Sequence, residues 1–211
     1  TQVVVDADSK ERMRSWLKDE GMDDHHRFVL VHPGMGGSAL NWPEGYYIDL
    51  VSVLSKRGID VVVTGSARER ELVERVVNAA KAQQATKDES QPRECGRLVP
   101  FVGSNTHSGL SDFIALESLA VLVVAPSTGP LHLAVALGKP TVSFYPPIKV
   151  QSAIRWGPYT GQEERHGVLV PDALCGREFK CAGKKCPFYF CMERLSVEEA
   201  VGQVLSHMGP E

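Results

Sequence analysis

The densest chemistry in the chain sits in Ser127-Thr128-Gly129-Pro130-Leu131-His132, which brings together two hydroxyls, a glycine, a proline and an imidazole. An unbroken apolar run over 121–125 precedes it and reads as a strand covered on both faces. The residues that follow, Leu133 to Leu137, are apolar nearly all round and read as a short buried helix. Ser127 or Thr128 is suited to cap that helix, Gly129 lets a ligand approach the backbone, and Pro130 fits a first-turn position. A helix N-terminus carries unpaired N–H groups and about half a positive charge, enough to hold a phosphate without a lysine. An ordinary capped helix needs the same S-T-G-P. His132 is what points to a ligand, since four residues past Thr128 it is expected on the same helical face above that turn.

A second glycine-rich turn, Gly34-Met35-Gly36-Gly37-Ser38-Ala39, follows the apolar run over 28–31 and fits the G-x-G-x-x-A pattern of dinucleotide sites. Its context does not fit. Leu40-Asn41-Trp42-Pro43 intervenes before the next helix, and Thr64 ends the second strand where an acidic ribose-binding residue belongs. No lysine of the phosphate-binding-loop type follows. Glu69 lies in a helix first turn, where an acid is favoured by the helix dipole with or without a ligand. Arg155, beside Trp156, could neutralise a phosphate or stack on the indole. His25 and His26 fall in a polar loop and read as solvated. Neither a DxD pair nor paired carboxylates accompany the 127–132 turn, so no metal is expected there.

Strands are expected over 28–31, 59–64, 97–103, 121–125, 141–145 and 167–170, the third less regular because Pro100 interrupts it. Helices between them start at a capping-box spacing around Asp8 and end at Gly21, then run from Trp42-Pro43 to Gly58 and over 68–82, 111–119 and the segment after 128. A closing helix over 196–208 is capped by Ser196. This alternation predicts right-handed crossovers and an α/β, Rossmann-like, doubly wound, mainly parallel sheet. A single domain over 1–211 is expected, with 1–26 as linker and entry helix and 172–195 as a cysteine-rich loop.

The chain has 211 residues, 43% hydrophobic and 23% charged, which suits one well-formed core. A net charge of −3 argues against a nucleic-acid surface, because no basic face is available to displace counterions. No apolar run is long enough to span a bilayer and no signal peptide is visible, so a cytoplasmic location is expected. The first residue is not Met, which is expected of a processed or cut-down piece. Of the five cysteines, Cys95 stands apart, while Cys175, Cys181, Cys186 and Cys191 follow C-x5-C-x4-C-x4-C. That spacing lacks the C-x2-C knuckle of common zinc sites, leaving zinc, a disulfide or thiols packing a loop as readings.

HPGMGGSALNWP at 32–43, VVVTGSARERE at 61–71, PSTGPLHLAVALGKPTVSFYPP at 126–147 and RWGP at 155–158 together resemble the ADP-heptose:lipopolysaccharide heptosyltransferases, glycosyltransferase family 9. The resemblance covers about residues 6 to 208 and implies the C-terminal, donor-binding half of a GT-B enzyme. It implies inverting, metal-independent transfer of a heptose or related sugar from an ADP-sugar to a lipopolysaccharide core acceptor, with no cofactor beyond that substrate. A non-catalytic nucleotide-sugar-binding module is the alternative. Carried over, Ser127, Thr128, Gly129, Leu131 and His132 would surround the donor diphosphate. Gly34, Gly36, Gly37 and Ser38 would line the sugar and phosphate side, and Glu69 would contact the ribose. The acceptor and the catalytic base would come from an N-terminal half, in a bacterial cytoplasm with peripheral association at the inner membrane. Two departures bear on the sugar: Leu40 stands where the family often has a lysine, and Ser127 where many members have an aspartate.

Overall fold

The computed structural model describes residues 3–22, 27–37, 39–85, 95–104, 107–159, 161, 163–175, 181–188 and 190–209. Six strands form one parallel sheet: β1 (Phe28–Val31), β2 (Asp60–Gly65), β3 (Leu98–Val102), β4 (Leu122–Pro126), β5 (Thr141–Phe144) and β6 (His166–Leu169). Their order across the sheet is β3-β2-β1-β4-β5-β6, the doubly wound arrangement in which the chain reverses direction between β1 and β4.

The helices cover both faces. Along β1 the side chains alternate: Val29 and Val31 join one apolar cluster, Phe28 and Leu30 the other, as the two-residue strand period requires. The first cluster packs against α2 (Glu44–Lys56), α3 (Arg70–Ala85) and α7 (Val197–His207). The second packs against α1 (Ala7–Asp19), α4 (His107–Leu119) and α5 (Gly129–Ala136). A single turn, α6 (Ala153–Trp156), follows β5. Trp42 joins the start of α2 to the C-terminal segment. Its ring stacks on Phe144 at 4.3 Å and its Nε1–H donates to the Leu195 carbonyl at 2.9 Å. Truncating so buried an indole costs about 3–5 kcal/mol.

Several boundaries differ from expectation for local reasons. Helix α1 begins at Ala7, because Asp6 is the residue whose carboxylate accepts from the Ser9 N–H at 2.8 Å. Helix α4 begins at His107, four residues earlier than its apolar pattern suggests. Gly109 allows this, since an added Cβ there would overlap the Ser104 carbonyl. Pro100 is accommodated because β3 is an edge strand, bonded to β2 alone. After β2 a short 3-10 turn, Ala67–Glu69, precedes α3, which runs on to Ala85. His25, His26 and Ser38 lie outside the described residues, as do 1–2, 86–94 and 176–180.

Candidate functional site

A cleft of about 560 Å³ opens at the carboxyl ends of the strands, over the β1/β4 reversal, where doubly wound sheets bind ligands. Each neighbouring strand contributes to it: His32 after β1, Ser66 and Glu69 after β2, Gly103 and Ser104 after β3, and Gly129 and Pro130 after β4. Leu110 and Phe113 of α4, with Leu133 of α5, form an apolar wall. The cleft thus combines an apolar wall with a few polar groups, Phe113 standing edge-on to His32 where the two meet.

The polar groups form a linked set of five residues. Glu69 closes the turn after β2: its Oε2 accepts from the Ser66 N–H at 2.9 Å and the Ser66 hydroxyl at 2.8 Å. The same carboxylate borders the cleft, and its Oε2 lies 4.0 Å from His32 Nε2. His32 is buried, with Nδ1 at 3.0 Å from the Thr64 hydroxyl and its ring edge-on to Phe113. Burial pushes its pKa down to about 4, with the Glu69 charge opposing that shift, so the ring is neutral at neutral pH. Gly34 completes the set, because an added Cβ there would overlap the Glu69 carboxylate. The absent side chain makes room for Glu69.

The turn after β4 differs from its sequence reading in three respects. Thr128 is the N-cap of α5 by position, yet its hydroxyl donates to the Pro126 carbonyl at 3.2 Å and makes no capping bond. The Thr128 side chain therefore leaves the first-turn N–H groups of α5 uncapped. Leu131 is fully buried in the core beside Ala134, so its side chain packs the helix and does not face the cleft. His132 is exposed and does not line the cleft, being turned roughly 100° around the helix from the buried Leu131. Ser127 stands against the Tyr145 hydroxyl, which also donates to the Trp156 carbonyl at 2.6 Å. Of this expected group, Gly129 lines the cleft.

Gly36 and Gly37 adopt φ of 61° and 79°, the left-handed region, with open space where a Cβ would sit. Asn41 anchors their loop: its side-chain amide donates to the Pro33 carbonyl at 2.7 Å, and its Oδ1 accepts from Trp42 N–H and the Tyr47 hydroxyl. Arg155 lies over the Trp156 ring at 5.4 Å and outside the cleft wall. None of the five cysteines is in a disulfide. The N–H groups of Gly183 and Phe188 donate to Cys181 and Cys186 sulfur, each at 3.3 Å. Burial, and then the neighbouring thiols, raise the Cys191 pKa. Among the described residues no three His, Cys, Asp or Glu side chains are arranged to hold a metal ion, and no helix is long and apolar enough to cross a membrane.

Sequence reasoning singled out Glu69 and Gly129 but passed over His32, Ser66, Leu110 and Phe113. His32 carried one usable signal, its position directly after a core strand, where such sheets place ligand contacts. Phe113 carried none, because an aromatic residue at helical spacing looks the same whether it faces a core or a cleft.

Comparison with known proteins agrees with this architecture. The chain is 27% identical over 204 residues to a Haemophilus influenzae protein whose name is that of a glycosyltransferase, covering 96% of this chain and 51% of that one. It is 22% identical over 196 residues to the lipopolysaccharide core heptosyltransferase OpsX of the same organism, covering 88% and 50%. The solved E. coli ADP-heptose LPS heptosyltransferase II has the same fold, with a TM-score of 0.70 and 19% identity over 98% of this chain and 53% of that one. The chain spans about half the length of these relatives. The sequence profile described as glycosyltransferase family 9 (heptosyltransferase) matches residues 4–184, and the chain belongs to that family.

Proposed function

We propose that this chain is the donor-binding part of a glycosyltransferase that takes an ADP-sugar, a heptose or a close relative, and delivers the sugar to a lipopolysaccharide core acceptor. The cleft over the β1/β4 reversal, lined by an apolar wall and by the Glu69 carboxylate, carries this reading. Phe113 and Leu133 offer a flat surface for a base, and Glu69 accepts from sugar hydroxyls. The uncapped end of α5 at Gly129 meets the diphosphate. Breaking the anomeric C–O bond with inversion builds negative charge on that diphosphate, and N–H groups already oriented by the helix stabilise it without reorganising and without a metal. The titratable side chains of the cleft, His32 and Glu69, are both engaged in binding geometry, so the base that activates the acceptor hydroxyl comes from the part of the enzyme beyond this chain. The name of one solved relative of the same fold, E. coli heptosyltransferase WaaC with ADP, supports ADP as the nucleotide. Titration calorimetry of the chain with ADP, with and without EDTA, tests the reading. Binding of equal strength in both is expected. No heat with ADP, or binding abolished by chelation, refutes it.

A further inference from the structure

The gap between His32 and Glu69 is the feature that binding by Glu69 alone leaves unused. Nε2 and Oε2 stand 4.0 Å apart, too far for a direct hydrogen bond, and both groups border the cleft. A hydroxyl oxygen about 2.8 Å from each would close the gap with an angle of about 90° between its two bonds, tighter than the tetrahedral angle of an sp³ oxygen but within hydrogen-bond reach of both groups.

The tautomer of His32 decides what kind of group fits. Thr64 is fully buried, and among the described residues His32 Nδ1 is the partner of its hydroxyl, at 3.0 Å. A hydroxyl proton in that position needs an acceptor, so Thr64 donates to Nδ1 and the ring proton resides on Nε2. The opposite tautomer would aim a lone pair at the Glu69 carboxylate. The cleft therefore presents a donor and an anionic acceptor side by side. A group that donates and accepts at once, a hydroxyl, satisfies both. An ammonium could satisfy only the carboxylate, an ether oxygen only the imidazole, and a C–H group leaves both unpaired.

We propose that His32, oriented by Thr64, is a specificity-determining residue that works with Glu69 to select a ligand hydroxyl bridging Nε2 and Oε2. On the reading that the ligand is an ADP-sugar, on which this inference rests, the hydroxyl is one of the ribose pair. His32 then enforces ribose over deoxyribose from the end of β1. The discrimination is large because a deoxy ligand leaves the buried imidazole N–H without a partner, while Glu69 keeps its bonds to Ser66. A site built in this way rejects the analogue lacking the hydroxyl by about tenfold to a hundredfold.

The test is titration calorimetry of the 211-residue chain with ADP, 2′-deoxy-ADP and 3′-deoxy-ADP, on the wild type, His32→Asn and His32→Gln. The shorter Asn amide reaches the Nδ1 position and keeps a partner for Thr64 but has no donor at the cleft. The Gln amide reaches the Nε2 position. Wild type is expected to prefer ADP to one of the deoxy analogues by at least tenfold, His32→Asn to lose most of that preference, and His32→Gln to retain it. Comparing two ligands on one folded variant cancels any shared effect on stability. If wild type binds ADP but accepts both deoxy analogues equally, or if His32→Asn discriminates as well as wild type, the proposal is overturned while ADP binding stands. If wild type does not bind ADP at all, the donor reading fails and this inference with it.

Discussion

Glu117 provides the sharpest test of the packing. It sits on α4, one turn beyond Phe113, fully buried, and neither carboxyl oxygen has a hydrogen-bond partner among the described residues. Helix α4 packs against α1, α5 and the sheet through an apolar cluster that includes Met13, Leu17, Val123, Leu131 and Ala134. Burial alone pushes the Glu117 pKa from 4.5 up to about 9. The sign follows directly: the folded protein holds a proton that the unfolded chain releases, so stability is complete below about pH 4.5 and declines as the pH rises toward 9. At about 1.4 kcal/mol per pH unit, the loss by pH 7 is about 3 kcal/mol, a large fraction of the stability of an ordinary domain. Glu117→Gln stays neutral throughout, and Glu117→Leu also removes the unpaired polar atoms. Urea denaturation from pH 6 to 9 measures both against wild type. The gap in stability should widen by about 1.4 kcal/mol per unit, and Glu117→Leu should be the most stable protein at pH 8. A gap between wild type and Glu117→Gln that stays constant from pH 6 to 9 would refute the assignment of Glu117 as a buried, proton-bearing acid. His32 contributes in the opposite direction, since its lowered pKa adds stability as the pH rises from about 4 toward 6.5, and that contribution is complete by pH 7.

The remaining predictions concern the site and the cysteine loop. Gly34→Ala should weaken ADP binding about as much as Glu69→Gln does, because the new methyl displaces the carboxylate; calorimetry that finds Gly34→Ala unchanged would show the overlap is relieved elsewhere. Thr128→Ala should leave ADP affinity within about threefold, since the hydroxyl is engaged by the Pro126 carbonyl and makes no capping bond; a loss of about a hundredfold would mean it contacts the ligand. With dithionitrobenzoate on the folded protein, exposed Cys181 should react before buried Cys175 and Cys191, and the order should disappear in urea. The chain by itself should bind donor but transfer no sugar, with chromatographic detection of a glycosylated acceptor as the contrary result.

Local patterns in the sequence were sufficient for much of the architecture. Apolar runs at 28–31, 121–125 and 141–145 specify buried strands by length and branching, and the helical repeats ending at Gly58 and Gly138 specify the helices between them. Glu69 was legible as an acid at the start of a helix, and Gly129 as a glycine at the end of a strand. What sequence could not supply was which side chains share a space. His32, Ser66 and Phe113 come from two strand ends and a helix, and the tertiary fold is what gathers them around one cleft. The same limit applies to single residues. His132 does follow the Thr128 turn, its N–H donating to the Thr128 carbonyl at 3.3 Å, but its exposure beside the buried Leu131, and the room Gly34 leaves for a carboxylate thirty-five positions away, are set by packing. Periodicity is a property of the local backbone and can be read from the chain, whereas the burial of Glu117, the tautomer of His32 and the room made by Gly34 depend on partners that only folding brings within reach.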